Sequence, residues 1–130
     1  MHGKKKIIRL SKSCLSTLEK VSVKKVLDKE FLGMGPEVQK FEKELSRFFK
    51  REVVCFNSAT AALHVALQSA EVGLKDEVLV PAFTFVGTVN SIAYCDAIPH
   101  FIDSSIEKKG VDVNKLEIYL KRITVRKGKF

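Results

Sequence analysis

Two hydroxyl residues flank one small residue in Ser58-Ala59-Thr60, which follows the apolar run Val53-Val54-Cys55-Phe56 and precedes Ala61, Ala62 and Leu63. Small polar residues between a strand and a helix carry a specific chemistry. The first turn of a helix leaves backbone N–H groups without partners, and its dipole favours negative charge. Serine and threonine add hydroxyl donors, and small side chains let an anion approach the backbone closely. The same residues also have a plainer use, because a serine at this place caps a helix. Taken alone they support an anion cradle and a simple cap equally. The segment is not a P-loop, since it has neither the glycine-rich loop nor its Lys-Ser/Thr pair.

A second strand-to-helix junction, Val80-Pro81-Ala82-Phe83-Thr84-Phe85-Val86-Gly87-Thr88-Val89-Asn90, falls on the same edge of a parallel sheet. An aromatic placed there can stack on a flat ring held by the first junction. Phe83 and Phe85 can equally be core residues. Asp103 closes the apolar run Ile98–Ile102 and suits a strand end better than a ligand role. His64 falls on the helix after the first junction and suits packing or a surface better than catalysis.

These junctions need elements to hold them. Residues 52–56, Glu77–Pro81 and Ile98–Ile102 are short apolar runs expected to be buried strands. Between them, 59–70 places Ala62, Leu63, Ala66, Leu67 and Ala70 on one helical face, and 84–95 does the same with Val86, Val89, Ile92 and Ala93. Alternating strand and helix implies a mainly parallel α/β sheet flanked by helices. Two helices are expected before the first strand, 15–29 and 36–50, separated by Gly33-Met34-Gly35, with Pro36 suited to a first turn. A last helix is expected from Asp112, a natural N-cap, carrying Val113, Leu116 and Leu120. Three parallel strands make a small sheet for apolar runs of this kind. The chain therefore reads as part of a larger domain.

Four segments occur in order: Gly-Pro-Glu-Val-Gln-Lys-Phe-Glu-Lys-Glu-Leu (35–45), Asn-Ser-Ala-Thr-Ala-Ala-Leu-His (57–64), Asp-Glu-Val-Leu-Val-Pro-Ala-Phe-Thr-Phe-Val-Gly-Thr-Val-Asn (76–90) and Ala-Ile-Pro-His-Phe-Ile-Asp (97–103). Together they resemble the DegT/DnrJ/EryC1/StrS family of nucleotide-sugar aminotransferases across about residues 7–120. The resemblance implies a partial type I pyridoxal-phosphate (PLP) transferase large domain, incomplete at its C-terminus, with residues 1–14 as an N-terminal arm. It implies that the turn Ser58-Ala59-Thr60 binds the PLP phosphate, with alanine where the family has glycine, and that Phe85 stacks on the pyridine ring. Transamination needs a lysine amine that forms a Schiff base with the cofactor. None of this chain's lysines aligns with that position, so no catalytic residue is expected within it and the chain alone is expected to be inactive. The intact parent is expected to transfer an amino group, from glutamate, to a keto nucleotide-sugar in polysaccharide or deoxyamino-sugar biosynthesis, as a homodimer. The alternatives are a keto-deoxysugar dehydratase of the same family, with histidine in place of the lysine, and a non-catalytic gene remnant.

Bulk properties narrow the other classes. Hydrophobic residues make up 45% of the chain, ordinary for a globular protein, and no apolar run reaches the roughly 18–20 residues of a membrane span. The basic start lacks the apolar stretch and cleavage site of a secretory signal. The net charge of +8 invites a nucleic-acid reading, but Lys4, Lys5, Lys6, Arg9, Lys121, Arg122, Arg126, Lys127 and Lys129 sit at the two ends. Those nine removed from 23 leave 14 basic against 15 acidic residues, a net of −1. Such a body does not present a basic binding face, so no nucleic-acid partner is expected. Cys14, Cys55 and Cys95 are sparse and odd in number, against a disulfide framework or a metal site. Cys55 is expected to be a buried reduced thiol in a cytoplasmic protein.

Overall fold

The computed structural model describes residues 11–124, which fall into two units that divide between Val54 and Cys55. Each is a short run of the elements expected from the sequence.

The first unit holds α1 (Thr17–Asp28) and α2 (Pro36–Phe49). Ser16 caps α1 in a capping box: Leu18 N–H donates to Ser16 Oγ at 3.1 Å, and Ser16 N–H donates to Glu19 Oε2 at 2.7 Å. The Ser16 hydroxyl also donates to Glu19, and this contact leads the causes that hold the Glu19 carboxyl below its ordinary range. Gly35 is the N-cap of α2, and Pro36 takes the first-turn place where its missing N–H costs nothing. Lys29 Nζ meets Glu37 Oε1 at 2.9 Å, so the end of α1 is pinned to the start of α2. That hydrogen bond, with the lysine's charge behind it, lowers the Glu37 pKa. The expected stripe on α2 is only partly covered: Val38 and Leu45 are half-buried, whereas Phe41 and Phe48 are exposed.

The second unit runs α3 (Ala59–Ser69), β1 (Glu77–Pro81), α4 (Val86–Ala93), β2 (Ile98–Ile102) and α5 (Val113–Ile123). The strands β1 and β2 are parallel, with Val78 opposite Pro99 and Val80 opposite Phe101. The helix α4 crosses over between them, packing on both strands and on α3. Val80 and Ile92, 1% and 2% exposed, centre a core that also takes in Cys95 and Ala97, with Leu67, Val72, Val78 and Val89 packed around it. Alternation along β1 sends Val78 and Val80 into this core and leaves Leu79 for the other face. On that face His100, opposite Leu79, joins β2 to α5: its Nδ1 is 2.6 Å from Glu77 Oε2 and its Nε2 is 2.7 Å from the Tyr119 hydroxyl. A carboxylate only accepts, so Nδ1 carries a proton toward Glu77.

One expected strand is corrected. Residues 52–56 keep a period-two alternation, Val53 and Cys55 half-buried and Val54 and Phe56 exposed, but they belong to no sheet among the described residues. An extended segment becomes a strand only when a neighbour takes up its ladder hydrogen bonds. Here the Val53 N–H instead donates to the Ser46 side chain at 3.1 Å. Cys55 is likewise half-buried; the buried thiol is Cys95, whose Sγ lies 3.9 Å from the His64 carbonyl.

Helix ends also fall a residue or two inside the expected ones. Glu71 (φ 60°) follows α3 and Asp96 (φ 56°) follows α4 in the left-handed region. There Val72 N–H donates to the Leu67 carbonyl at 3.0 Å, and Ala97 N–H to the Ile92 carbonyl at 3.4 Å. These are Schellman-type closures built without the glycine that normally marks them. Among the described residues no helix is long and apolar enough to cross a membrane.

Candidate functional site

The helix α3 starts at Ser58, whose backbone is extended (φ −156°, ψ 154°). Its Oγ accepts the Ala61 N–H at 3.2 Å, and its carbonyl accepts the Ala62 N–H at 3.1 Å. Both uses of the serine read from the sequence are thereby separated. The Ser58 hydroxyl oxygen is spent on the cap, whereas the N–H groups of Ala59 and Thr60 precede the first intrahelical bond and stay available to an anion. Thr60, half-buried, projects from the first turn of α3.

The helix α4 starts at Phe85, which stands at the N-cap (φ −74°, ψ 141°) and makes no side-chain cap. Phe85 is 76% exposed and Phe83 68% exposed, so neither is a core residue. Thr88 N–H donates to the Phe85 carbonyl at 3.0 Å, and the Thr84 and Thr88 hydroxyls lie 3.2 Å apart. The loop that carries Phe85 is therefore ordered through its backbone.

Gly87 brings the two junctions together. It is buried in the first turn of α4, and a Cβ at its position would meet Thr60 Oγ1 at clashing distance and two Phe85 ring carbons at 3.1 Å. Thr60 and the Phe85 ring therefore flank one small patch, with two helix starts aimed at it from the same packed pair, α3 and α4. A phosphate at the start of α3 and a flat ring against Phe85 would share that patch. That geometry fits a phosphorylated planar ligand. Sequence reasoning gives no role to Gly87, although a glycine inside a helical pattern signals close approach.

The other singled-out residues lie elsewhere. His64, one turn after Thr60, packs its ring edge-on against Tyr94 with centroids 5.6 Å apart, and its Nε2 is buried with no hydrogen-bond partner among the described residues. Asp103 is exposed beyond β2, 3.9 Å from Lys115 Nζ, on the rim of an open concavity of about 280 Å³ lined also by Leu116 and Tyr119.

Comparison with known proteins places these features in a context. A family model described as the DegT/DnrJ/EryC1/StrS aminotransferase family matches residues 13–127. The spore coat polysaccharide biosynthesis protein SpsC of Bacillus subtilis (strain 168) is 40% identical over 96 residues, which are 73% of this chain and 25% of that protein. The dTDP-4-dehydro-2,3,6-trideoxy-D-glucose 4-aminotransferase of Saccharopolyspora spinosa is 34% identical over 100 residues, 75% of this chain and 26% of that protein. Among solved structures, the PLP-form of a Streptococcus pneumoniae protein described as a sugar aminotransferase superposes with a TM-score of 0.74 at 33% identity, over 85% of this chain and 29% of its own. The chain thus spans about a quarter of the length of these relatives.

Proposed function

The chain belongs to the DegT/DnrJ/EryC1/StrS aminotransferase family, a PLP-dependent family with the PLP-transferase fold that includes sugar aminotransferases, and on that premise we propose that it is the N-terminal portion of a PLP-binding large domain. In this reading the Ala59 and Thr60 amides and the Thr60 hydroxyl hold the PLP phosphate, Ser58 sets the turn that presents them, and Phe85 stacks on the pyridine ring. The observation that carries it is the shared patch around Gly87, which puts Thr60 and the Phe85 ring side by side. The Ser58 cap keeps the first turn of α3 open at its start, so the amides are preorganised rather than ordered on binding. The exposed face of Phe85 offers a planar contact that orients the ring and keeps water from one side. When bound, PLP supplies the electron sink for amino transfer.

The parent reaction we infer is transfer of an amino group, with glutamate as donor, to a keto group on a nucleotide-linked deoxyhexose. It serves cell-surface polysaccharide or deoxyamino-sugar biosynthesis, in a homodimeric cytoplasmic enzyme. The names of the Bacillus and Saccharopolyspora relatives support the substrate class. The amine that reaction requires is not among this chain's lysines in this reading, so the 130 residues bind without turning over.

Equilibrium dialysis tests the cradle. Pyridoxine 5′-phosphate is the suitable probe, because it lacks the aldehyde with which surface lysines would react. It should bind at least tenfold more tightly than pyridoxine, which lacks only the phosphate, since two charge-assisted amide bonds are worth about 1.5–3 kcal/mol each before the cost of desolvation. Equal affinity for the two would remove the phosphate assignment. Formation of an amino sugar from glutamate and a dTDP-linked 4-keto deoxyhexose by the chain with PLP would remove the claim that its lysines are not catalytic.

A further inference from the structure

We propose that Ser104 is a positioning residue that aims Phe85, a role that rests on the cradle proposed above. The chain leaves β1 at Pro81 and enters α4 at Val86, and the four residues between carry both exposed phenylalanines. With 76% of its surface exposed, Phe85 has little packing to aim it beyond the edge its ring lays over Gly87. The rest of its direction is set by the backbone of the loop. Two hydrogen bonds tie that backbone to the tail of β2. Ala82 N–H donates to the Ile102 carbonyl at 3.0 Å, which continues the parallel ladder one step past the strand. Phe83 N–H then donates to Ser104 Oγ at 3.3 Å, where the ladder has ended and a side chain stands in for a carbonyl.

Ser104 is itself held firmly. It is half-buried and pairs with Val111 in an antiparallel bridge, and the adjacent Ser105 N–H donates to the Gly110 carbonyl at 2.7 Å. The serine is therefore a fixed post on the far side of the loop from α4, while the Thr88-to-Phe85 bond is the post on the near side. With both in place, the two residues before the Phe85 ring have little freedom. Removing the hydroxyl leaves the Phe83 amide able to turn to solvent, so the fold tolerates the change while the loop gains conformers in which Phe85 points away.

The experiment compares the whole 130-residue chain with Ser104→Ala and Ser104→Thr, using pyridoxine 5′-phosphate and inorganic phosphate as separate probes, and reads melting temperature and Phe83 amide exchange alongside. One neutral, partly exposed hydrogen bond is worth a roughly two- to tenfold effect. Ser104→Ala should weaken pyridoxine 5′-phosphate by about that factor and leave inorganic phosphate unchanged, because the cradle at α3 does not depend on the loop. Its Phe83 amide should exchange faster, and Ser104→Thr, which keeps the γ-oxygen, should restore both readouts. Unchanged ring binding in Ser104→Ala, with the wild-type chain binding normally, overturns the role of Ser104 alone. Equal weakening of both probes overturns it in favour of general damage. Failure of the wild-type chain to prefer pyridoxine 5′-phosphate over pyridoxine overturns the cradle itself and this role with it.

Discussion

Replacing Phe85 with alanine should separate binding from folding. About three-quarters of the residue is exposed, leaving about a quarter of its surface against the protein. A buried aromatic covers roughly 150–250 Å², so a quarter is about 40–60 Å², worth about 1–1.5 kcal/mol at ~25 cal/mol/Å². That is an upper bound, because the unfolded chain already hides part of its apolar surface. Phe85 also makes no side-chain cap for α4, so alanine removes no capping bond. The ligand side carries more. Stacking of a flat ring on an aromatic side chain is worth about 1–3 kcal/mol by alanine substitution, which is roughly a five- to 150-fold loss of affinity. Urea unfolding and equilibrium dialysis with pyridoxine 5′-phosphate measure the two sides independently. Phe85→Leu is the sharper control, since it keeps apolar area but has no flat face, and it should not restore binding. Unaltered affinity in the alanine variant, or full rescue by leucine, would refute stacking. A stability loss well above about 2 kcal/mol would show that the ring is part of the core after all.

Two further outcomes test the packing within each unit. Ile92→Ala, at a position 2% exposed in the core that joins α4 to the sheet, should cost about 2–5 kcal/mol by urea unfolding; a cost below 1 kcal/mol would mean that α4 is not anchored there. In the first unit, Lys29 depresses the Glu37 carboxyl. A carboxyl lowered on folding contributes stability that is present above its unfolded pKa and lost as pH falls through its folded pKa. Lys29→Ala should therefore raise the Glu37 titration toward the ordinary glutamate range by carboxyl NMR and flatten the acid-side loss of α1–α2 helicity, and an unmoved Glu37 would refute the pairing.

Most elements of the two units were legible because each has a local signature. The N-caps Ser58 and Asp112 accept an N–H from the first turn that follows them, and Pro36 takes the first turn of α2; Ser16, inside the helix expected over 15–29, instead caps α1. Both strands of the sheet are the apolar runs Glu77–Pro81 and Ile98–Ile102. What the sequence hides is everything set by a partner. Residues 52–56 carry the pattern of a strand, but a ladder needs a neighbour, and pattern alone does not supply one. The left-handed closures at Glu71 and Asp96 are invisible because glycine, their usual marker, is absent. By composition Phe83 and Phe85 fit a core or a ring contact alike. Their exposure follows from the path of a four-residue loop, which no periodicity encodes.

The same distinction explains why the cradle looked ambiguous in the sequence. A cap and an anion site use the same first turn of a helix, and Ser58 fills the cap without exhausting the turn. One hydroxyl oxygen satisfies the Ala61 amide, and the Ala59 and Thr60 amides still lack an intrahelical acceptor. Capping and anion binding are therefore compatible at this helix start, and only a second feature can tell a capped helix from a capped helix that also binds. That second feature is Gly87, where the absence of a side chain lets α4 approach α3 closely enough for Thr60 and Phe85 to share a patch. A cradle with no ring beside it would be a cap, and a ring with no cradle beside it would be an exposed phenylalanine. Their adjacency, made by helix packing across 25 residues of sequence, is the observation on which the proposed site for a phosphorylated ring rests.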